Sequence, residues 1–206
     1  MNAIKIKKEE PHMKRIKYLL PLLLALALLT PFFMFAGEKT PVIGILQYVQ
    51  HGALDLAREG FIKSLEEQGY KIGETLVIDY LNGQADQSTC ASVADKFVAD
   101  HVDLMLGIAT PAVLALAGKT EETPILGTAV TDYVEARLAK SNEKPGFNIS
   151  GTTDMNPTKE QIGLIKHFVP EAKTVGLIYT GSEINSQLQA DIAKREIEAL
   201  DMVYTE

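Results

Sequence analysis

Residues 102–117, Val102-Asp103-Leu104-Met105-Leu106-Gly107-Ile108-Ala109-Thr110-Pro111-Ala112-Val113-Leu114-Ala115-Leu116-Ala117, decide the fold. An apolar run passes without a break into Thr110 and Pro111 and then into small residues at helical spacing. That pattern reads as a buried strand, a sharp turn and a helix start. Thr110 suits the N-cap, because its hydroxyl can accept an orphan backbone N–H. Pro111 suits the first helical position, because it has no N–H to leave unpaired. A helix that starts at the carboxyl end of a parallel strand belongs to a doubly wound sheet, where ligands bind at that edge and helix N-termini favour anions.

Upstream of this stretch the same unit occurs twice. Val42 to Leu46 is an apolar strand that ends in Gln47-Tyr48-Val49-Gln50-His51-Gly52, and Leu54, Ala57, Phe61 and Leu65 then recur at helical spacing as far as Gly69. Leu76 to Leu81 is a second strand, followed by a polar loop and a helix that carries Cys90, Val93, Ala94, Phe97 and Val98 on one stripe. Downstream, Pro124 to Val130 is a fourth strand, Tyr133 to Lys140 a weaker helix and Phe147 to Gly151 a short fifth strand. The alternation predicts a parallel α/β sheet with right-handed crossovers.

After Thr152-Thr153-Asp154-Met155 the pattern begins again. Asn156-Pro157 caps a helix with Ile162, Ile165 and Phe168 on its apolar face, and Thr174 to Tyr179 is a strand. Ile184, Leu188 and Ile192 mark another helix, and Met202-Val203-Tyr204 opens one more strand at the end of the 206 residues. An open strand edge there is a liability, so the pattern predicts either a fragment or a second unit completed by something else.

The N-terminal segment is of another kind. Lys5, Lys7, Lys8, Lys14, Arg15 and Lys17 precede an apolar run from Tyr18 to Phe35 and then Ala36-Gly37, the pattern of a secretory signal over residues 1–36. An uncleaved anchor is the alternative, given the length of the run. No cysteine follows the run, so a lipoprotein signal is not expected, and the lone Cys90 excludes an internal disulfide. With six basic and two acidic side chains in that segment, removing its charge of +4 from the chain's −7 leaves about −11. A body this acidic does not point to nucleic acid or anionic lipid.

Polar side chains gather at the carboxyl ends of the strands: Gln47, Gln50 and His51 after the first, Asn82, Gln84 and Gln87 after the second, Thr110 after the third. Thr131 and Asp132 follow the fourth, and Thr152, Thr153 and Asp154 the fifth. Loops are polar in general. The loops at the opposite end, however, are charged instead (Glu74, Glu121-Glu122, Glu143-Lys144), and a rim of amides and hydroxyls suits a small polar ligand. Catalytic hardware is missing: there is no G-x-G-x-x-G, P-loop or G-x-S-x-G, and His12, His51, His101 and His167 lack metal-ligand spacing. The expectation is no enzyme, no metal and no cofactor. Cys90, on an apolar stripe, reads as a small core residue.

The residues resemble those of a known family. Ile43-Gly44-Ile45-Leu46-Gln47, His51-Gly52-Ala53-Leu54-Asp55 and Arg58-Glu59-Gly60-Phe61 resemble the opening of ABC-transporter substrate-binding proteins of the tryptophan/tyrosine type. Asp86-Gln87-Ser88-Thr89-Cys90, Ala109-Thr110-Pro111-Ala112, Ala129-Val130-Thr131-Asp132 and Gly151-Thr152-Thr153-Asp154-Met155 are similar to that family's later signatures, in the same order. Gly52 and Tyr133 stand where the family would have prolines.

The resemblance implies a periplasmic-binding-protein-like type I fold, with a complete doubly wound lobe over residues 37–152 and a truncated second lobe over 153–206. It implies an extracytoplasmic protein that closes on an amino acid, tryptophan or tyrosine, and delivers it to an ABC permease in the membrane. A non-catalytic sensory module of the same fold is the alternative. In this reading the ligand carboxylate meets the helix start at Thr110 with Thr131, and the helix start at Asn185 and Ser186. The ammonium meets Asp154, or else Asp132, with Gln47, His51, Gln87 and Thr153 completing the rim. Ring selectivity would come from aromatic neighbours such as Tyr48 and Tyr179.

Overall fold

A computed structural model describes residues 39–206, so the signal or anchor expected over residues 1–36 lies outside the described residues. Within the unit formed by Thr40–Glu206, strands and helices alternate as β1 (Val42–Gln47), α1 (Gly52–Glu67), β2 (Val77–Asn82), α2 (Gln87–Ala99), β3 (Leu104–Ile108), α3 (Thr110–Ala117), β4 (Ile125–Val130) and β5 (Ile149–Thr153). These five strands form one parallel sheet in the order β2-β1-β3-β4-β5. Growth of the sheet reverses direction between β1 and β3. The crevice outside the carboxyl ends of those two strands is where such sheets bind ligands.

Both faces of the sheet are covered. Helix α1 lays Leu54, Ala57, Phe61, Ile62 and Leu65 over Ile43, Ile45, Leu106 and Ile108. On the other face α2 and α3 bury Cys90, Ala94, Phe97, Val113 and Leu116 against Leu46, Met105 and Ile125. Cys90 is 1 % exposed, which places it in the core, and burial pushes its thiol pKa up.

The chain leaves this sheet after Thr153 and builds a second, smaller group: α4 (Thr158–Phe168), β6 (Thr174–Gly176), α5 (Ile184–Ala199) and β7 (Val203–Thr205). Strands β6 and β7 pair in parallel, and Ile162, Ala193, Ile197 and Met202 form a core of their own.

Four expectations need correction. Thr110 is the first residue of α3 rather than its N-cap; that position is Ala109, held at φ 81° and ψ 150°, with no side chain over the helix end. Residues 133–140 form turns instead of a helix, because Arg137 takes a left-handed φ of 56° and the N–H groups of Leu138 and Ala139 both fold back to the Tyr133 carbonyl. Strand β5 is shifted two residues later than the run 147–151. Strand β6 ends at Gly176, so Tyr179 lies beyond it, with its hydroxyl donating to Glu206 and no part in the rim.

Gly52 shows why the resembling family can use proline there. It is the first residue of α1, after His51 in extended backbone at φ −153° and ψ 139°, and a Cβ at Gly52 would meet nothing within 4 Å. Proline fits the first helical turn, and its preceding residue must be extended, as His51 is. Gly52→Pro is therefore expected to stabilise the chain by about 0.5–1 kcal/mol, chiefly by restricting the unfolded state. Urea unfolding would show this as a higher midpoint at unchanged slope.

Candidate ligand site

Much of the backbone strain among the described residues lies at the carboxyl-end rim, with His101, Arg137 and Asp201 as the positive-φ non-glycine residues elsewhere. Of the non-glycine residues with positive φ, Gln84 (53°) and Ala85 (58°) follow β2, Ala109 (81°) follows β3, and Ala129 (54°) is the penultimate residue of β4. Ala109, at ψ 150°, occupies a region that glycine alone enters freely, at a cost of about 1–3 kcal/mol. Such strain persists where the surroundings over-determine it. Here Ala109 N–H donates to Thr128 O, while the Ala109 carbonyl accepts from Ala112 and Val113 N–H. The consequence is that α3 starts immediately at the sheet edge, with its N-terminus uncapped by any side chain.

Thr110, only 1 % exposed, accepts the N–H of Thr131 on its hydroxyl (3.3 Å) and so ties the ends of β3 and β4 together. Thr153 extends the tie by donating its hydroxyl to Thr131 O at 2.6 Å. Asp132 turns the chain after β4: one carboxylate oxygen accepts the N–H groups of Val134 (2.8 Å) and Glu135 (2.9 Å).

Across from this edge sits the first turn of α5. Its N-cap, Glu183, makes no capping bond with its side chain, which instead accepts a hydrogen bond from the Tyr48 hydroxyl (3.1 Å). Between the two groups of strands lies a seam lined by Thr110, Asp132, Glu135, Ala136, Ile184, Asn185 and Leu188. It holds about 150 Å³ of empty space, none wide enough for water. Two helix N-termini without side-chain caps therefore converge on one seam, each presenting partial positive charge. Asp132 and Glu135 bring carboxylates to the same place. Within it the Oδ1 of Asn185 is buried with no hydrogen-bond donor.

Three of the ten residues expected at the site, Thr110, Asp132 and Asn185, line this seam together, and Thr131 is bonded directly to Thr110. The others are placed differently. Gln47 is fully buried and its amide is used internally: it donates to Val49 O and Asp55 (both 2.8 Å) and accepts from Arg58 (2.9 Å). It shapes the loop after β1, with both ends of its amide engaged inside the protein. His51 caps α1 by accepting the Ala53 N–H on Nδ1, and Gln87 is exposed on the first turn of α2. Ser186 accepts the Thr180 N–H (2.9 Å) and so holds the loop before α5. Asp154, preferred from the sequence as the ammonium partner, is exposed and does not line the seam, whereas Asp132, the alternative, does.

Wider spaces lie elsewhere: a pocket of about 160 Å³ beside Tyr133, Pro145 and Gly151, and two larger grooves. One of about 540 Å³ runs along Thr120, Arg137 and Phe147 at the amino ends of β4 and β5, and one of about 560 Å³ along Asp55, Arg58, Tyr80 and Gln84 at the outer end of the rim. In the second, Arg58 is already committed, stacked 4.4 Å over Tyr80 and bonded to Asp55 and Gln47. Among the described residues, no group of three or more His, Cys, Asp or Glu side chains is placed to hold a metal ion. Nor is any helix long and apolar enough to cross a membrane.

Sequence reasoning missed Glu183 altogether and gave Tyr48 no hydrogen bond. An acidic residue just before a helix reads as a cap, and its reach to a tyrosine 135 positions earlier leaves no local signal.

Tyr48 and Tyr133 are the strongly perturbed groups nearest this region. Burial, then the Glu183 carboxylate, pushes Tyr48 up to about 12. Tyr133, whose buried hydroxyl has no hydrogen bond of good geometry, is pushed up to about 12 mainly by burial, with the nearby Thr152 backbone lowering it and Asp154 raising it by less. The folded chain thus holds protons that the unfolded chain loses near pH 10, so stability is full below that pH and falls as pH rises towards 12. Urea midpoints measured from pH 9 to 11.5 should decline, and Tyr133→Phe should flatten the decline while stabilising the chain below pH 10 by about 1 kcal/mol.

A strained carboxyl-end rim facing a second helix N-terminus is the architecture of a two-lobed solute-binding protein. Residues 42–204 match the family described as ABC transporter substrate binding protein, and the chain belongs to that family. It is 49% identical over 155 residues to a tyrosine-binding protein of Clostridioides difficile strain R20291, covering 75% of this chain and 45% of that one. A solved structure of an ABC domain in complex with L-Trp from Streptococcus pneumonia superposes with a TM-score of 0.77 at 40% identity, over 81% of this chain and 56% of that one. The ligand-free, open structure of a substrate-binding protein with adhesive properties from Clostridium difficile gives 0.63 at 44% identity, over 81% and 56%. The chain therefore spans about half the length of these relatives and has the type I periplasmic-binding-protein fold.

Proposed function

We propose that the seam between Thr110, Asp132 and Asn185 is where this chain receives an amino acid, tyrosine or tryptophan, as the extracytoplasmic binding component of an ABC importer. The observation that carries the reading is the meeting of two uncapped helix N-termini with two carboxylates and an unpaired amide oxygen in one place. A zwitterion needs both halves: N–H groups and helix ends for its carboxylate, and anionic or carbonyl oxygens for its ammonium. In this reading Thr110 and the first turn of α5 face the carboxylate, while Asp132 and Asn185 Oδ1 face the ammonium.

The seam has no space wide enough for a water molecule, whereas small-molecule sites start at roughly 300 Å³. Entry then requires α5 to move away from the rim about the segment after Thr153. The better superposition on the L-Trp complex than on the open, ligand-free relative, despite lower identity to the former, supports a closed arrangement here. Residues 37–152 would form the first lobe and residues from 153 onwards belong to the second. A signal over residues 1–36 would carry the protein out of the cytoplasm, and a membrane permease would be the partner that takes the ligand.

Isothermal titration of the full chain with L-tyrosine and L-tryptophan tests this. Binding should be lost with tyramine, which lacks the carboxylate, and with 3-(4-hydroxyphenyl)propanoate, which lacks the ammonium. Equal binding of either analogue would overturn the zwitterion assignment.

A further inference from the structure

Among the described residues, a long-range side-chain hydrogen bond joins Tyr48, in the loops of the five-stranded sheet, to Glu183 at the start of α5. Three features make it more than a surface contact. Tyr48 is held in place, 9 % exposed, with its backbone N–H on Ile108 O at the switch between β1 and β3. Its phenol has one proton and two acceptors at 3.1 Å, Glu183 Oε1 and Ala85 O. The Ala85 carbonyl belongs to the same sheet's loops, and the Glu183 carboxylate belongs to α5. A charged acceptor draws the proton more strongly than a carbonyl, so the bond to α5 is preferred, and the one to Ala85 remains when α5 moves away. Glu183 could instead have capped its own helix, yet its side chain does not.

Resting on the proposed function, we infer that Tyr48 and Glu183 are positioning residues that latch the first turn of α5 over the rim. They set how often the site opens and how long ligand stays. Neither residue lines the seam itself. The Tyr48 proton passes between an acceptor on α5 in the closed form and Ala85 O in the open form, which leaves the phenol paired in both.

Hydrogen–deuterium exchange on the full chain without ligand tests the latch. Tyr48→Phe keeps the buried ring and removes the proton. Exchange of amides in the first turns of α5 should quicken by roughly tenfold or more, the loss of one hydrogen bond to a charged acceptor, while amides of β1 and β3 stay unchanged. Glu183→Gln, which retains an acceptor, should fall between wild type and Glu183→Ala. The double variant Tyr48→Phe/Glu183→Ala should exchange no faster than the faster single variant. Unaltered α5 exchange in Tyr48→Phe, or additive single effects, would overturn the latch.

Stopped-flow release of L-tyrosine forms the second arm. Faster release in Tyr48→Phe at an unchanged urea midpoint supports the latch, and unchanged release refutes it. If no amino acid binds the wild-type chain but the exchange pattern holds, the ligand reading fails and the latch stands; if tyrosine binds and exchange is unmoved, the reverse is true.

Discussion

Gly151→Ala is expected to lower the unfolding free energy by about 3 kcal/mol or more, at the upper end of what overpacking costs. Gly151 pairs with Gly127 across the β4–β5 ladder, and the Tyr133 hydroxyl lies over the pair. A Cβ on Gly151 would stand 2.0 Å from Gly127 O and 2.1 Å from the Tyr133 hydroxyl. The first of these is backbone of a paired strand and cannot turn aside, so β5 would have to leave β4 just where the chain departs for the second group of elements. A Cβ on Gly127 meets a different obstacle, the Tyr133 hydroxyl at 2.4 Å and Val113 Cγ2 at 3.1 Å. Tyr133→Phe should therefore restore much of the stability lost in Gly127→Ala and little of that lost in Gly151→Ala. Urea unfolding of the two glycine variants, each with and without Tyr133→Phe, would show this; equal rescue of both would mean that the tyrosine, and not the strand backbone, limits the spacing.

The second large effect concerns Asn185. A buried amide oxygen without a donor costs about 1–3 kcal/mol, and Asn185 Oδ1 is in that position inside the seam. In the proposed function the missing donor is the ligand's ammonium. Asn185→Ala should then leave the urea midpoint unchanged or slightly higher, while affinity for L-tyrosine or L-tryptophan falls by about ten- to a hundredfold, as expected for one hydrogen bond to a charged group. A site residue that weakens the fold and strengthens binding is the usual trade between stability and function. Lower stability with unaltered affinity would make Asn185 a structural residue of α5.

Much of the fold was legible because its signals are local. The stretch 102–117 fixed the strand, turn and helix that start the rim, and the apolar stripe around Cys90 and Phe97 lies in the core as its spacing implies. The family followed from short motifs in order, and it is the family to which the chain belongs.

What the sequence hid depends on three dimensions. Thr110 looks like a cap, but the preceding residue takes an unfavourable φ that only the completed sheet enforces. Gln47 reads as a rim amide, yet its acceptors and donor come from the following loop and from α1. Asp132 and Asp154 are equivalent by position at strand ends, and only the docking of α5 separates the one in the seam from the one in solvent. Glu183 finds its partner across the fold, beyond the reach of any spacing rule.

The most direct test of the central assignment is a ¹H–¹⁵N NMR titration of the full chain with L-tyrosine and with L-tryptophan. The account predicts saturable shifts centred on Thr110, Thr131, Asp132 and Asn185, with smaller changes at Tyr48 and Glu183 as the latch responds. Shifts confined to the grooves at Arg137 and Phe147 or at Tyr80 and Gln84, or none with either amino acid, would contradict it.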